Sequence, residues 1–88
     1  MSWRVEFTSG ALRQLKKLDP FVRRTLIAWV EKNLEGCADA RAHGKSLVGD
    51  KSGLWRYRIG DYRLLCRLDD GRLVIEAIKV GHRREVYK

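Results

Sequence analysis

Eighty-eight residues, 44% of them hydrophobic and three of them tryptophan, are enough for one small core and exclude a multidomain architecture; one domain is expected over 1–88. Nineteen Lys and Arg against 11 Asp and Glu give a formal net charge of +8, which points to a polyanionic partner such as nucleic acid or an acidic protein. Two cysteines, Cys37 and Cys66, make neither a disulfide framework nor a zinc-binding spacing and read as small buried hydrophobes; no apolar run suits a signal peptide or a membrane span, so a cytoplasmic protein without membrane contact is expected.

The first strand is read from Trp3 to Thr8, where apolar and polar residues alternate and Trp3, Val5 and Phe7 point inward. Thr8-Ser9 offers a helix cap, and Ala11, Leu12, Leu15 and Leu18 then recur at helical spacing. Asp19-Pro20 closes that helix and opens a second one, because Asp is a good N-cap and Pro suits the first helical turn. Val22, Leu26, Trp29, Val30 and Leu34 form its buried stripe, and Gly36 is its stop. All three tryptophans, Trp3, Trp29 and Trp55, are expected in the core. From Cys37 to Gly53 turn formers dominate and the reading is loop, with a helical turn near Ala38–Ala42 and Leu47 and Val48 as anchors.

From Leu54 to Leu68 aromatic and aliphatic residues alternate with arginines on both sides of Gly60-Asp61, a glycine-first pair suited to a two-residue type II′ turn. That turn fixes a register in which Ile59 faces Tyr62, Tyr57 faces Leu64 and Trp55 faces Cys66 on the core side. On the other side Arg58 faces Arg63, Arg56 faces Leu65 and Leu54 faces Arg67. Asp70-Gly71 reads as a second two-residue turn that pairs Leu68 with Leu73, Cys66 with Ile75 and Leu64 with Ala77. The expected fold is α+β: an N-terminal strand, a two-helix hairpin and a three-stranded antiparallel meander, with the helices packed on one face of the sheet. The far face is expected to carry Arg56, Arg58, Arg63, Arg67 and Glu76 among Leu65, Val74, Ile78 and Val80. Gly81 starts a closing turn and a short extended segment that brings Arg83 and Tyr87 near the sheet.

Like charges directly opposite on a sheet are destabilising, so the Arg58–Arg63 pair is a placement that folding alone does not favour. Guanidinium groups bind phosphate with a planar, permanently charged fork and can stabilise the charge that develops during phosphate chemistry. The competing reading is a solvated sheet face, which suits any one arginine better than three on a single hairpin. Tyr87 can stack on a base or pack as a terminal aromatic. His43 and His82 offer an acid–base pair only if the fold joins two loops, and ordinary surface histidines are the simpler reading. Cys66 points into the core, and Asp69, Asp70 and Glu76 are too scattered for a metal site.

Gly53-Leu54-Trp55-Arg56-Tyr57-Arg58-Ile59-Gly60-Asp61-Tyr62-Arg63-Leu64 and the ending Val80-Gly81-His82-Arg83-Arg84-Glu85-Val86-Tyr87 resemble signatures of the RelE/ParE superfamily of bacterial toxin–antitoxin systems, in its RelE branch of messenger-RNA interferases. The resemblance spans roughly Trp3 to Tyr87. It implies a toxin that cleaves messenger RNA in the ribosomal A site of the 70S ribosome, without metal or other cofactor, by attack of a 2′-hydroxyl on the adjacent phosphate. By motif position it puts Arg56, Arg58 and Arg63 on the scissile phosphate, Arg83 on the leaving oxygen and Tyr87 on the nucleotide, so Arg58, Arg63, Arg83 and Tyr87 are the expected catalytic residues. Arg56, Lys45, Lys51 and Arg84 are the expected RNA-binding cations, Lys45 and Lys51 also standing as substitutes for the base. It also implies an acidic, RelB-like antitoxin as partner and a toxin that is otherwise monomeric. One departure concerns the general base, since relatives carry lysines where Arg56 and Arg58 stand and a guanidinium is a poor proton acceptor. A ParE-like toxin that binds DNA gyrase without nuclease activity, and a non-catalytic RNA-binding module, are the alternatives.

Overall fold

The computed structural model describes residues 2–47 and 53–86. In order they form β1 (Arg4–Phe7), α1 (Ser9–Lys16), α2 (Pro20–Asn33), β2 (Lys45–Ser46), β3 (Leu54–Ile59), β4 (Tyr62–Asp69) and β5 (Val74–His82). The expected α+β architecture is present, with a two-residue edge strand, β2, in a stretch that reads as loop. Val48 and Lys51 of that stretch, and Tyr87 at the end, lie outside the described residues.

Local chemistry sets the helix ends. The Thr8 hydroxyl accepts the Ala11 amide at 3.1 Å and starts α1, while the Asp19 carboxylate accepts the Phe21 and Val22 amides at 2.9 and 3.3 Å and starts α2 one residue before Pro20. At the far end of α2 the chain turns through Gly36, whose φ is 78°. Gly36 then donates to the Trp3 carbonyl at 2.8 Å and Trp3 to the Cys37 carbonyl at 2.9 Å, which ties the helix exit to the N-terminal segment.

The sheet order is β1-β5-β4-β3-β2, with β1 parallel to β5 and the other pairs antiparallel. The β3–β4 register is the one the Gly60-Asp61 turn demands: Ile59 opposite Tyr62, Tyr57 opposite Leu64, Trp55 opposite Cys66 and Arg58 opposite Arg63. Gly60 has φ 60°, the glycine-first conformation of a type II′ turn.

The second hairpin departs from expectation. Its loop has four residues, Asp70 to Leu73, so Asp69 pairs with Val74, Leu68 with Ile75 and Cys66 with Ala77. Leu73, at φ 55°, takes the left-handed position in place of Gly71, and the Asp69 carboxylate accepts the Arg72 amide at 3.1 Å. A shift by two keeps each side chain on its expected face. A bulge then intervenes, because Leu65 pairs with Lys79 and Leu64 with Val80, leaving Ile78 as the extra residue. The bulge moves Val80 from the expected far face into the core, where it is 4% exposed. It also lets β5 run on through Gly81 to His82 before the chain turns.

The main core gathers Trp3, Leu15, Leu26, Val30, Leu34, Tyr57, Ile59, Leu64, Cys66, Ile75, Ala77 and Val80 between the helices and one sheet face. Trp29, Trp55 and Cys37 are only partly buried, contrary to the sequence reading of all three, because they sit where the helix–sheet sandwich meets the 37–44 loop. On the far face Leu65 and Val74 are also buried, as is Val86 in the closing turn.

Candidate nucleic-acid interface

The register sorts the far face of the sheet into two ends. At one end Glu76 lies between Glu6 and Arg67, and Arg4 lies beside Val74. Arg4 and Arg72 reach the Glu6 carboxylate at 3.4 and 3.9 Å, and Arg67 reaches Glu76 at 3.4 Å, so cations and carboxylates are matched here. Toward the Gly60-Asp61 turn the rows are Lys45, Arg56, Leu65, Lys79 and then Arg58, Arg63, Gly81, with no acidic residue in either. The sheet therefore separates its charge, a pattern suited to holding a polyanion at one end.

Arg58 and Arg63 are cross-strand neighbours with different environments. Arg58 is exposed, whereas Arg63 is 8% exposed and its Nη1 donates to the carbonyls of Gly60 and Tyr62 at 2.8 and 2.9 Å. Arg63 is thus a positioned cation at the turn, its guanidinium held in place by the two carbonyls to which it donates. Arg83 comes to the same turn through its amide, which donates to the Asp61 carbonyl at 2.8 Å, and Arg84 follows with its amide on His82 Nδ1 at 3.2 Å. Of the residues expected at the site, Lys45, Arg56, Arg58, Arg63, Arg83 and Arg84 therefore share one end of the fold. Lys51 and Tyr87 are outside the described residues.

Beside the arginines, between α2 and the edge of β3, lies a cleft of about 230 Å3 lined by Trp29, His43, Gly44, Lys45, Arg56 and Arg58. The loop forming its wall is fixed from β3. The buried Tyr57 hydroxyl donates to the Ala40 carbonyl at 2.7 Å and Trp55 Nε1 to the His43 carbonyl at 2.8 Å. Arg41 lies 5.8 Å from the centre of the Trp55 ring and forms a two-pronged bond to Asp70 at 2.8 and 3.0 Å. Gly44 has φ 82°, and a Cβ there would meet the Arg56 carbonyl oxygen, Trp55 Nε1 at 2.7 Å and Tyr57 Cδ1 at 3.0 Å. Only glycine lets the loop lie this close to the strand.

Titration follows these contacts. Burial pushes the Tyr57 phenol well above its ordinary range and keeps it a neutral donor. Its hydrogen bond to Arg41 holds the Asp70 carboxyl below the usual carboxylate range. Burial raises both thiols, Cys66 the more strongly, so neither is a poised nucleophile. The two histidines are separated in role: His43 packs edge-on against Trp29 at 5.7 Å and lines the cleft, while His82 packs edge-on against Tyr62 at 5.6 Å. Among the described residues no three of His, Cys, Asp and Glu lie together as a metal-binding group, and no helix is long and apolar enough to cross a membrane.

Trp29 and Gly44 were not legible as site residues. Trp29 reads as part of the buried stripe of the second helix and Gly44 stands in a loop, and only the fold brings them to Arg56.

Comparison with known proteins places this geometry in context. Residues 5–87 match the family described as the ParE toxin of type II toxin–antitoxin system, parDE. Toxin RelG of Mycobacterium tuberculosis is 32% identical over 88 residues, covering 100% of this chain and 99% of the relative. Toxin RelE of the same organism is 30% identical over 86 residues, covering 98% and 87%. Among solved structures, the toxin–antitoxin complex RelBE2 of M. tuberculosis contains a chain that superposes with a TM-score of 0.85 at 30% identity, covering 97% of this chain and 95% of that one.

Proposed function

Because this chain belongs to the ParE toxin family of type II toxin–antitoxin systems and is a RelE-family toxin, we propose that it is a ribosome-dependent endoribonuclease that cleaves messenger RNA in the A site. The observation that carries this reading is the separation of charge on the sheet, which gathers Lys45, Arg56, Arg58, Arg63 and Arg83 at the Gly60-Asp61 end while the carboxylates of Glu6 and Glu76 stay at the other.

In this mechanism the 2′-hydroxyl of one nucleotide attacks the adjacent phosphorus in line. The 2′-O–P bond forms, the P–O5′ bond breaks, the 2′ proton is lost and the departing 5′ oxygen takes one up. Arg58 binds the phosphate from the open side of β3. Arg63, fixed on the turn carbonyls, adds positive charge that need not reorganise as the phosphorus gathers negative charge. Arg83 attends the leaving oxygen, and Tyr87 stacks on or orients the nucleotide, in keeping with the resemblance. Arginine is a poor base, so the 2′ proton passes to water, Tyr87 or a ribosomal group rather than to Arg56 or Arg58. No cofactor enters the scheme.

The RelBE2 complex supports an antitoxin partner for this chain as well. Such a partner would cover the cationic end with an acidic, partly disordered segment, and the toxin apart from it acts as a monomer in the cytoplasm. The ParE description keeps gyrase binding as the second reading. In-vitro translation on programmed ribosomes with 5′-end mapping of the message decides between them, with Arg83→Ala and Tyr87→Ala beside wild type. Cleavage within the A-site codon, reduced at least about a hundredfold in Arg83→Ala, is the expected result. Intact message together with inhibited gyrase supercoiling would overturn it.

A further inference from the structure

The cleft between α2 and β3 sets cations, of which the catalytic scheme uses only Arg58, beside aromatic rings that the scheme leaves unused. One wall carries Lys45, Arg56 and Arg58, and none of the described lining residues is acidic. The other presents the edge-on pair Trp29 and His43, of which Trp29 also leans on the buried Tyr57 at 6.0 Å between ring centres. Cations beside aromatic rings are the combination that binds single-stranded nucleic acid, the first through its phosphates and the second through the flat faces of its bases.

Position gives the same answer. Arg58 lines the cleft and also faces Arg63, which in turn faces Gly81 two residues before Arg83. Arg58, on the cleft wall, and Gly81 are therefore two strand spacings apart, about 10 Å, a span that a single RNA strand crosses within a few nucleotides. The wall is also preformed. His43 is held by the Trp55 bond to its carbonyl and by Gly44 pressed against β3, so little ordering remains when a ligand enters.

From these observations we infer that the cleft is a subsite for one ribonucleotide flanking the scissile phosphate, with its own phosphate on Lys45 and Arg56, its base against Trp29 and His43, and Arg58 at the boundary with the scissile phosphate. The identity of that ribonucleotide as part of a message rests on the ribonuclease reading; the subsite itself does not. It makes base preference beside the cut a property of the α2 and 37–44 surface rather than of the arginine hairpin alone.

The test uses the full-length toxin with 15N-labelled tryptophan, titrated with adenosine 5′-monophosphate and separately with inorganic phosphate. The Trp29 indole signal is expected to move with the nucleotide while the buried Trp3 signal stays, and the nucleotide should bind about tenfold more tightly than phosphate. His43→Ala should remove most of that preference, His43→Phe should restore it, and Arg56→Ala should weaken both ligands. An unchanged Trp3 signal in each variant reports an intact core. Equal affinities for nucleotide and phosphate, or an unmoved Trp29 signal, would overturn the subsite. On programmed ribosomes His43→Ala should raise KM about tenfold with a smaller effect on kcat, and should alter base preference beside the cut. Uncleaved message with wild type, alongside a positive titration, would overturn the ribonuclease reading and leave the subsite standing.

Discussion

At the scale of single residues, Tyr57 links the core to the cleft. Its ring is fully buried and its hydroxyl satisfies the Ala40 carbonyl at 2.7 Å, so removing the oxygen leaves a carbonyl without its partner in an apolar setting. Tyr57→Phe is therefore expected to destabilise the fold by about 2 kcal/mol, a fall of roughly 8–16 °C in melting temperature by circular dichroism. Arg41 and Asp70 add a weaker clamp on the same loop, and its pH dependence has a definite sign. Asp70 has a lowered pKa in the fold, so its contribution is complete above the unfolded carboxyl pKa of about 3.9 and is lost as pH falls through the lower folded value. Because the pair is exposed, the effect is small. Melting curves from pH 6 down to 2 should show a slightly steeper acid loss for wild type than for Asp70→Asn. Parallel profiles would mean that the bond adds nothing in solution.

At the scale of elements, the fold depends on how closely loops and strands approach. Gly44→Ala would need a left-handed alanine and would drive its Cβ into the Arg56 carbonyl, with Trp55 Nε1 only 2.7 Å away. A loss of roughly 2–4 kcal/mol is expected, read from urea unfolding. A Tyr57→Phe background should lower the added cost, since the loop is then less tightly tied and can move away from β3. Elements differ in how far they could be read from local chemistry. The helix starts at Thr8 and Asp19 and the Gly60 turn were legible because a few adjacent residues settle them. The second hairpin was not, because the left-handed position went to Leu73, and the bulge at Ile78 answers to packing across β4 rather than to its own neighbours. Neither β2, with only two residues, nor the parallel pairing of β1 with β5 leaves a periodic trace. The arginines could be listed from the hairpin, but the cleft joins α2, a loop and β3, and so becomes visible only in three dimensions.

For the whole molecule, the net charge of +8 matters less than its arrangement. Arg4, Arg67 and Arg72 are matched by Glu6 and Glu76 at one end of the sheet, so they add little to the pull on RNA. The other end concentrates Lys45, Arg56, Arg58 and Arg83, four cations that can each replace a counterion on a phosphate. Binding of a short single-stranded RNA, made uncleavable by a 2′-deoxy sugar at the scissile position, should then weaken with salt along a log–log slope of about −3, near 0.7 per phosphate engaged. Fluorescence anisotropy between 50 and 200 mM salt measures this directly. Arg58→Ala should make the slope shallower by roughly 0.7, because it removes one phosphate contact, whereas Arg67→Ala should leave it unchanged despite the same loss of formal charge. If both substitutions reduced the slope equally, net charge would be governing binding, and the grouping of Lys45, Arg56, Arg58 and Arg83 at one end of the sheet would have no functional consequence.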